Sequence, residues 1–141
     1  MTAVLTDDDR AFLAETRLGF ITVAAPGDGA WPTTRPVWFE STPEGTVQLF
    51  SGVTSPKVRR LRDSPRASIL VANNAGEPER WISIVGTVTI EPDGAGELAS
   101  RLGARYWDLS DPEKAATLRE MVDSDIVRIV IHPETVARYA A

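Results

Sequence analysis

Apolar and polar residues alternate with a period of two over much of this chain, in short runs set apart by Pro, Gly and Asp. Strands are therefore the dominant expectation. Residues 18–25, 32–40, 46–51, 66–72, 80–91 and 126–131 read as six of them. In the fifth, Ile82, Ile84, Val88 and Ile90 share one face, with Gly86 between them, which marks that face as core. Pro26-Gly-Asp-Gly29 and Pro43-Glu-Gly45 are turn clusters, and connections this short cannot make a parallel crossover. The first three strands therefore read as successive antiparallel hairpins.

Four helices interrupt this pattern. Thr6 caps the first, Asp7, Asp8 and Asp9 suit the positive end of its dipole, and it runs to about Thr16. Ser55 caps a second over residues 55–62, with Pro56 at the first helical position, where its missing N–H costs nothing. Val58 and Leu61, three apart, should face inward. Residues 94–107 form a third, with Leu98 and Leu102 inward, and Ser110-Asp-Pro-Glu113 opens a fourth with capping-box spacing. The last predicted strand stops at His132-Pro133, ahead of a short tail. Six strands in hairpin order with flanking helices indicate one mainly β (α+β) domain over residues 1–141, an antiparallel barrel with appended helices.

Composition narrows the chemistry. The 141 residues include no cysteine and one histidine, His132, which excludes thiolate catalysis, Cys-ligated zinc and a multi-histidine metal site within one chain. No metal ligands and no catalytic side chain stand out. A net charge of −5 argues against a dedicated nucleic-acid binder. The acidic amino terminus is unlike a signal peptide, and no apolar run approaches the ~20 residues that span a bilayer. A cytoplasmic protein with no membrane association is expected. Redox or group-transfer chemistry would need an organic cofactor.

Lys57, Arg59, Arg60, Arg62 and Arg66 place five cations within ten residues. They read either as a solvated helix face or as an anion pocket, in which the helix N-terminus, the Ser55 hydroxyl and Lys57 would meet a phosphate. A second feature is Pro32-Thr-Thr-Arg-Pro-Val-Trp-Phe39. Thr33, Arg35, Val37 and Phe39 fall on one face, and Thr34, Pro36 and Trp38 on the other. Pro36 cannot donate to a ladder, so this strand belongs at an edge or bulge, with backbone groups free for a ligand's polar rim. An ordinary edge strand is the plainer reading. Trp31, Trp81, Tyr106 and Trp107 are core residues or stacking platforms, core being the commoner fate. His132, beside Pro133, reads as structural.

The ordered set Gly19-Phe-Ile-Thr-Val23, Gly29-Ala-Trp-Pro-Thr-Thr-Arg-Pro-Val-Trp-Phe39, Leu49-Phe-Ser51, Ser55-Pro-Lys-Val-Arg-Arg-Leu61, Ser64-Pro-Arg-Ala-Ser-Ile-Leu70 and Ile82-Ser-Ile-Val-Gly86 resembles the pyridoxamine 5′-phosphate oxidase-like split β-barrel superfamily. More narrowly, it is similar to actinobacterial flavin/deazaflavin oxidoreductases of class B. The resemblance implies a six-stranded split barrel that forms a homodimer with cofactor sites at the subunit interface. It implies that Ser55, Lys57 and Arg60 hold a cofactor phosphate and that Thr34, Arg35, Pro36, Val37 and Trp38 run along the ring. Phe50 and Ser51 would lie near the ribityl and phosphate region, and Trp81 would reach the cofactor from the partner subunit. Coenzyme F420 is the favoured cofactor and FMN the alternative, serving hydride transfer to a small electron-poor substrate. A non-catalytic flavin- or haem-type binder is the remaining alternative. Pyridoxamine phosphate is not the expected substrate: Pro56 stands where authentic oxidases carry arginine, Trp81 where they usually carry glutamine, and the tail lacks their Arg and His motif.

Overall fold

A computed structural model describes residues 4–27 and 29–141; residues 1–3 and Asp28, which belongs to the first predicted turn, lie outside the described residues. The elements run α1 (Asp7–Ala14), β1 (Gly19–Val23), β2 (Thr33–Val37), β3 (Glu40–Ser41), β4 (Val47–Gly52), α2 (Pro56–Asp63), β5 (Arg66–Ala72), β6 (Arg80–Glu91), α3 (Ala95–Tyr106), α4 (Pro112–Asp123) and β7 (Ile126–Ala140). The strands form one antiparallel sheet in the order β2-β1-β5-β6-β7-β4-β3.

There are seven strands, not six, because the predicted second strand breaks at Trp38-Phe39 into β2 and β3. The break closes the fold. β2 and β3 are the two outer edges of the sheet, yet only two residues join them. The end of one edge must therefore lie next to the start of the other, and the sheet curls into a split barrel around a core that includes Phe39, Leu49, Ile69, Ile84 and Ile129, none of them exposed. Phe39, at the crossing, fixes the corner from inside. Only the short β3 pairs with β4, whose other neighbour is β7, so the predicted second hairpin is confined to two residue pairs. The edge position expected for Pro36 holds: it pairs with Phe20 of β1 and has no strand on its other side.

The last strand is also longer than expected. Pro133 does not end it, because a register shift between Val85 and Gly86 lets β7 continue to Ala140 beside β6. The irregularity requires glycine: a Cβ at Gly86 would sit 2.0 Å from the His132 carbonyl oxygen. Helix starts follow local chemistry. At α1, Thr6 Oγ1 accepts from the Asp9 N–H (3.0 Å) and the Asp9 carboxylate accepts from the Thr6 N–H (2.8 Å), a reciprocal cap. α4 is capped by Asp111, not Ser110; the Asp111 carboxylate accepts from the Glu113 N–H, while Ser110 turns back to Asp108. No helix among the described residues is long and apolar enough to cross a membrane.

Candidate functional site

The cation run of α2 divides three ways by helical spacing. Val58 and Leu61 are buried in the core, Arg59 and Arg62 are exposed, and Lys57 and Arg60 are half-buried on a third side. That third side opens on a cleft of about 240 Å³ lined by Thr33, Arg35, Ser51, Ser55, Lys57 and Arg60, with Ile21 and Val23 of β1 as its floor. The helix meets the cleft with its N-terminus. Ser55 caps it, its Oγ accepting from the Val58 N–H (3.2 Å) and lying 2.9 Å from Ser51 Oγ at the end of β4. Arg60 donates to Thr33 Oγ1 at 2.9 Å and to the Trp31 carbonyl at 3.4 Å, joining α2 to β2. Burial pushes the Lys57 ammonium below the usual lysine range, and the Arg35 guanidinium beside it pushes the same way. Among the described residues, neither Lys57, Arg35 nor Arg60 pairs with a carboxylate, although five ion pairs occur elsewhere. A half-buried cation without a counter-ion, beside a second one, is an environment that an anion would stabilise.

Lys57 also lines a second, adjoining cleft of about 520 Å³. Pro36, Val37 and Trp38 of β2 and its corner form one wall of it with Phe50 of β4. Leu18, Met121, Ser124 and Ile126 enclose the rest. Trp38 is held from behind: Tyr106 stacks on it at 5.4 Å with 4° between planes, and Trp107 meets it edge-on at 4.8 Å. The Tyr106 hydroxyl donates to the Arg17 carbonyl, and burial raises its pKa despite the opposing influence of Arg105. Edge strand β2 thus runs past both clefts, with no strand on its outer side. The two chambers together suit a ligand with an anionic end and a flat, largely apolar end.

Of the residues expected in the site, Arg35, Ser51, Ser55, Lys57 and Arg60 meet in the polar cleft, and Pro36, Val37, Trp38 and Phe50 in the apolar one with Lys57. Thr34 lies between Thr33 and Arg35 on β2 but lines neither cleft; its hydroxyl is 2.8 Å from that of Thr22. Trp81 is elsewhere, stacked on Tyr139 at 6.3 Å at the far end of β6 and β7, so one chain alone does not bring it to these clefts. Trp31, read as core or platform, is 82% exposed. His132 bonds through Nε2 to Thr89 Oγ1 beside the register shift, outside both clefts. Sequence reasoning missed Thr33, although Thr33 shares a strand face with Arg35. It had no signal for Met121, Ser124 and Ile126, which reach the cleft only because of how α4 is packed. No group of three or more potential metal ligands occurs among the described residues.

Comparison with known proteins accords with this architecture. A search of curated sequences finds no match. Among solved structures, an F420 reductase superposes with a TM-score of 0.69 at 23% identity, covering 91% of this chain and 94% of its own. A FAD-binding protein from Mesorhizobium loti gives 0.64 at 22%, covering 97% and 96%. The haem storage protein HutZ from Vibrio cholerae gives 0.67 at 14%, covering 96% and 94%. At these identities the likeness is one of fold. The family model described as pyridoxamine 5′-phosphate oxidase, however, matches residues 5–139, nearly the whole chain. With the split barrel and the matching sequence run from β1 to β6, the chain belongs to the pyridoxamine 5′-phosphate oxidase family.

Proposed function

We propose that this protein is an oxidoreductase that holds a phosphate-bearing tricyclic cofactor, coenzyme F420 in preference to FMN, and passes hydride from it to a small electron-poor organic acceptor. The observation that carries this reading is the pair of clefts meeting at Lys57, one cationic with no counter-ion among the described residues and one aromatic along a sheet edge. Lys57 and the Ser55 end of α2 would take the phosphate, Arg35 and Arg60 would add charge, and the free backbone of β2 would meet the polar rim of the ring. Trp38 and Phe50 would exclude water. When bound in its reduced form, the cofactor supplies a hydride, two electrons and one proton; the acceptor takes it with one solvent proton. Among the described residues neither cleft is lined by a carboxylate or a histidine, so the proton would come from solvent. Arg59 and Arg62, exposed beside the anion cleft, favour F420, whose oligoglutamate tail continues as an anion past its phosphate.

The reading includes a homodimer. Cross-strand pairs Pro36–Phe20, Phe20–Leu70, Leu70–Ser83 and Ser83–Ala137 form a row on the outer sheet face, with Leu70 41% and Phe20 38% exposed. The flanking row runs through Ala72, Trp81 and Tyr139. A two-fold axis through this patch pairs it with itself reversed, so its Trp81 end would meet the Leu18–Pro36 end that borders the apolar cleft. Trp81 of the partner would thereby complete the site.

The test is an anaerobic assay of reduced F420 with menadione, following the return of the oxidised cofactor's absorbance, beside a binding titration with FMN. Enzyme-dependent oxidation supports the proposal. Tight binding of F420 with no turnover of quinones, enones or tetrapyrroles would make the protein a carrier, and binding of FMN alone would move it to flavin chemistry.

A further inference from the structure

The two walls of the apolar cleft have different origins. One is the rigid barrel, with Pro36 and Trp38 at the β2 edge and Phe50 on β4. The other is the corner where α4 ends and β7 begins, which presents Met121, Ser124 and Ile126. α4 is weakly anchored. Only Leu118 on it is buried, and it packs on α3. Contact with α3 is made over two glycines: Leu118 fills the space a Cβ at Gly103 would need (2.3 Å), and Val122 covers Gly96 at 3.7 Å. The position of Met121 is thus set by two helix contacts and by the helix end. There the Ser124 hydroxyl donates to the Met121 carbonyl at 2.6 Å, and the Ser124 N–H donates to it at 3.2 Å.

Resting on the reading above, we propose that Met121 and Ser124 form the acceptor-side wall of the apolar cleft and that Met121 sets the size of the acceptor. The barrel wall offers a flat aromatic surface and unpaired edge backbone, which suits the cofactor ring. The opposite wall offers a thioether with three rotatable bonds and one hydroxyl, which adapts to a second flat molecule without contributing charge. Among the described residues Lys57 is the one charged group lining this cleft, and it sits where the anion cleft begins. The acceptor class is therefore uncharged, conjugated and planar; an anionic acceptor would compete with the cofactor phosphate for Lys57. Removing Met121 widens the slot and favours a larger fused ring, whereas a bulkier residue narrows it.

Equilibrium binding of duroquinone (one ring) and menadione (two fused rings) to the F420-loaded protein tests this without requiring turnover. Met121→Trp should weaken menadione at least tenfold and duroquinone less. Met121→Ala should shift the preference towards menadione, and Met121→Leu should restore wild-type values. In each variant the Kd for F420 should change less than the Kd for menadione. Unchanged quinone affinities in both Met121→Trp and Met121→Ala, with melting temperatures preserved, would overturn the inference. If F420 does not bind at all, the cofactor reading fails separately. The same quinone titrations then run on the free protein through quenching of tryptophan fluorescence, where independence from residue 121 would again overturn the inference.

Discussion

At the scale of single residues, Lys57 belongs to both clefts, and its protonation gives the site a pH signature. Its amine is held below the ordinary lysine range by burial and by Arg35. A seated anion favours the charged amine, so binding takes up a proton wherever the free protein has lost it. Affinity for a phosphate-bearing cofactor should therefore fall as pH rises from that lowered value towards the ordinary one. In the same interval the ligand-free fold should gain stability, because the unfolded chain then holds more protons. Lys57→Ala should cost about 1–3 kcal/mol of binding, as for the loss of a charge-assisted hydrogen bond, and should flatten this part of the pH profile. Arg62→Ala, on the solvent side of α2, should change affinity little. Isothermal titration of the two variants across alkaline pH checks both. The sequence left the cation run open between solvated face and anion pocket, and the structure divides the run: Arg59 and Arg62 are exposed, whereas Lys57 and Arg60 line a cleft that the proposed function gives to an anion. Helical spacing sends 59 and 62 to solvent and 57 and 60 to the cleft, a division visible once the core face of α2 is known.

At the scale of elements, two joints fix the ends of the chain to the barrel. Asp9, almost fully buried, accepts two hydrogen bonds from Arg138 (3.0 and 2.7 Å), linking α1 to the far end of β7. Burial alone would raise the Asp9 pKa, but the Arg138 bond and charge and the Thr6 bonds together hold it below the usual aspartate range. That stabilisation is present above the unfolded pKa of about 3.9 and is lost as pH falls through the lower folded value. Asp9→Asn should cost about 1–3 kcal/mol at neutral pH and reduce the acid sensitivity, as measured by urea unfolding at pH 7 and pH 3. The second joint is the shift at Gly86. Gly86→Ala drives a methyl into the His132 carbonyl, and backbone cannot move aside as a flexible side chain would. A loss of at least about 2 kcal/mol is expected, read as a lower melting temperature. The bounds of β5 and β6 were legible from alternation alone, whereas the continuation of β7 past Pro133 was not. Its outer residues, Ala137 and Tyr139 among them, gain their partners only from β6, which no local pattern announces.

At the scale of the molecule, the barrel closes because one segment serves both sheet edges, and the proposed homodimer would bury the apolar outer face. Leu70→Arg places a charge at the middle of the Phe20–Leu70–Ser83 row and should convert a dimer to a monomer in light scattering. Cofactor affinity should fall with it if the partner's Trp81 completes the site, and a variant that stays dimeric with wild-type affinity would place the interface elsewhere. The lining residues expected from sequence were legible because they are close along the chain, within residues 35–38 and 50–60. The wall from Met121 to Ile126 was not, since its distance from β2 along the chain is bridged only by the packing of α4 on α3.

The most direct measurement is a fluorescence titration of the purified protein with coenzyme F420 and FMN in parallel, repeated on Lys57→Ala. Saturable binding of F420, tighter than that of FMN and weakened about fivefold or more by Lys57→Ala, is the predicted result. Failure of both cofactors to bind below about 1 mM, or equal affinity in the folded Lys57→Ala variant, would contradict the assignment of these clefts.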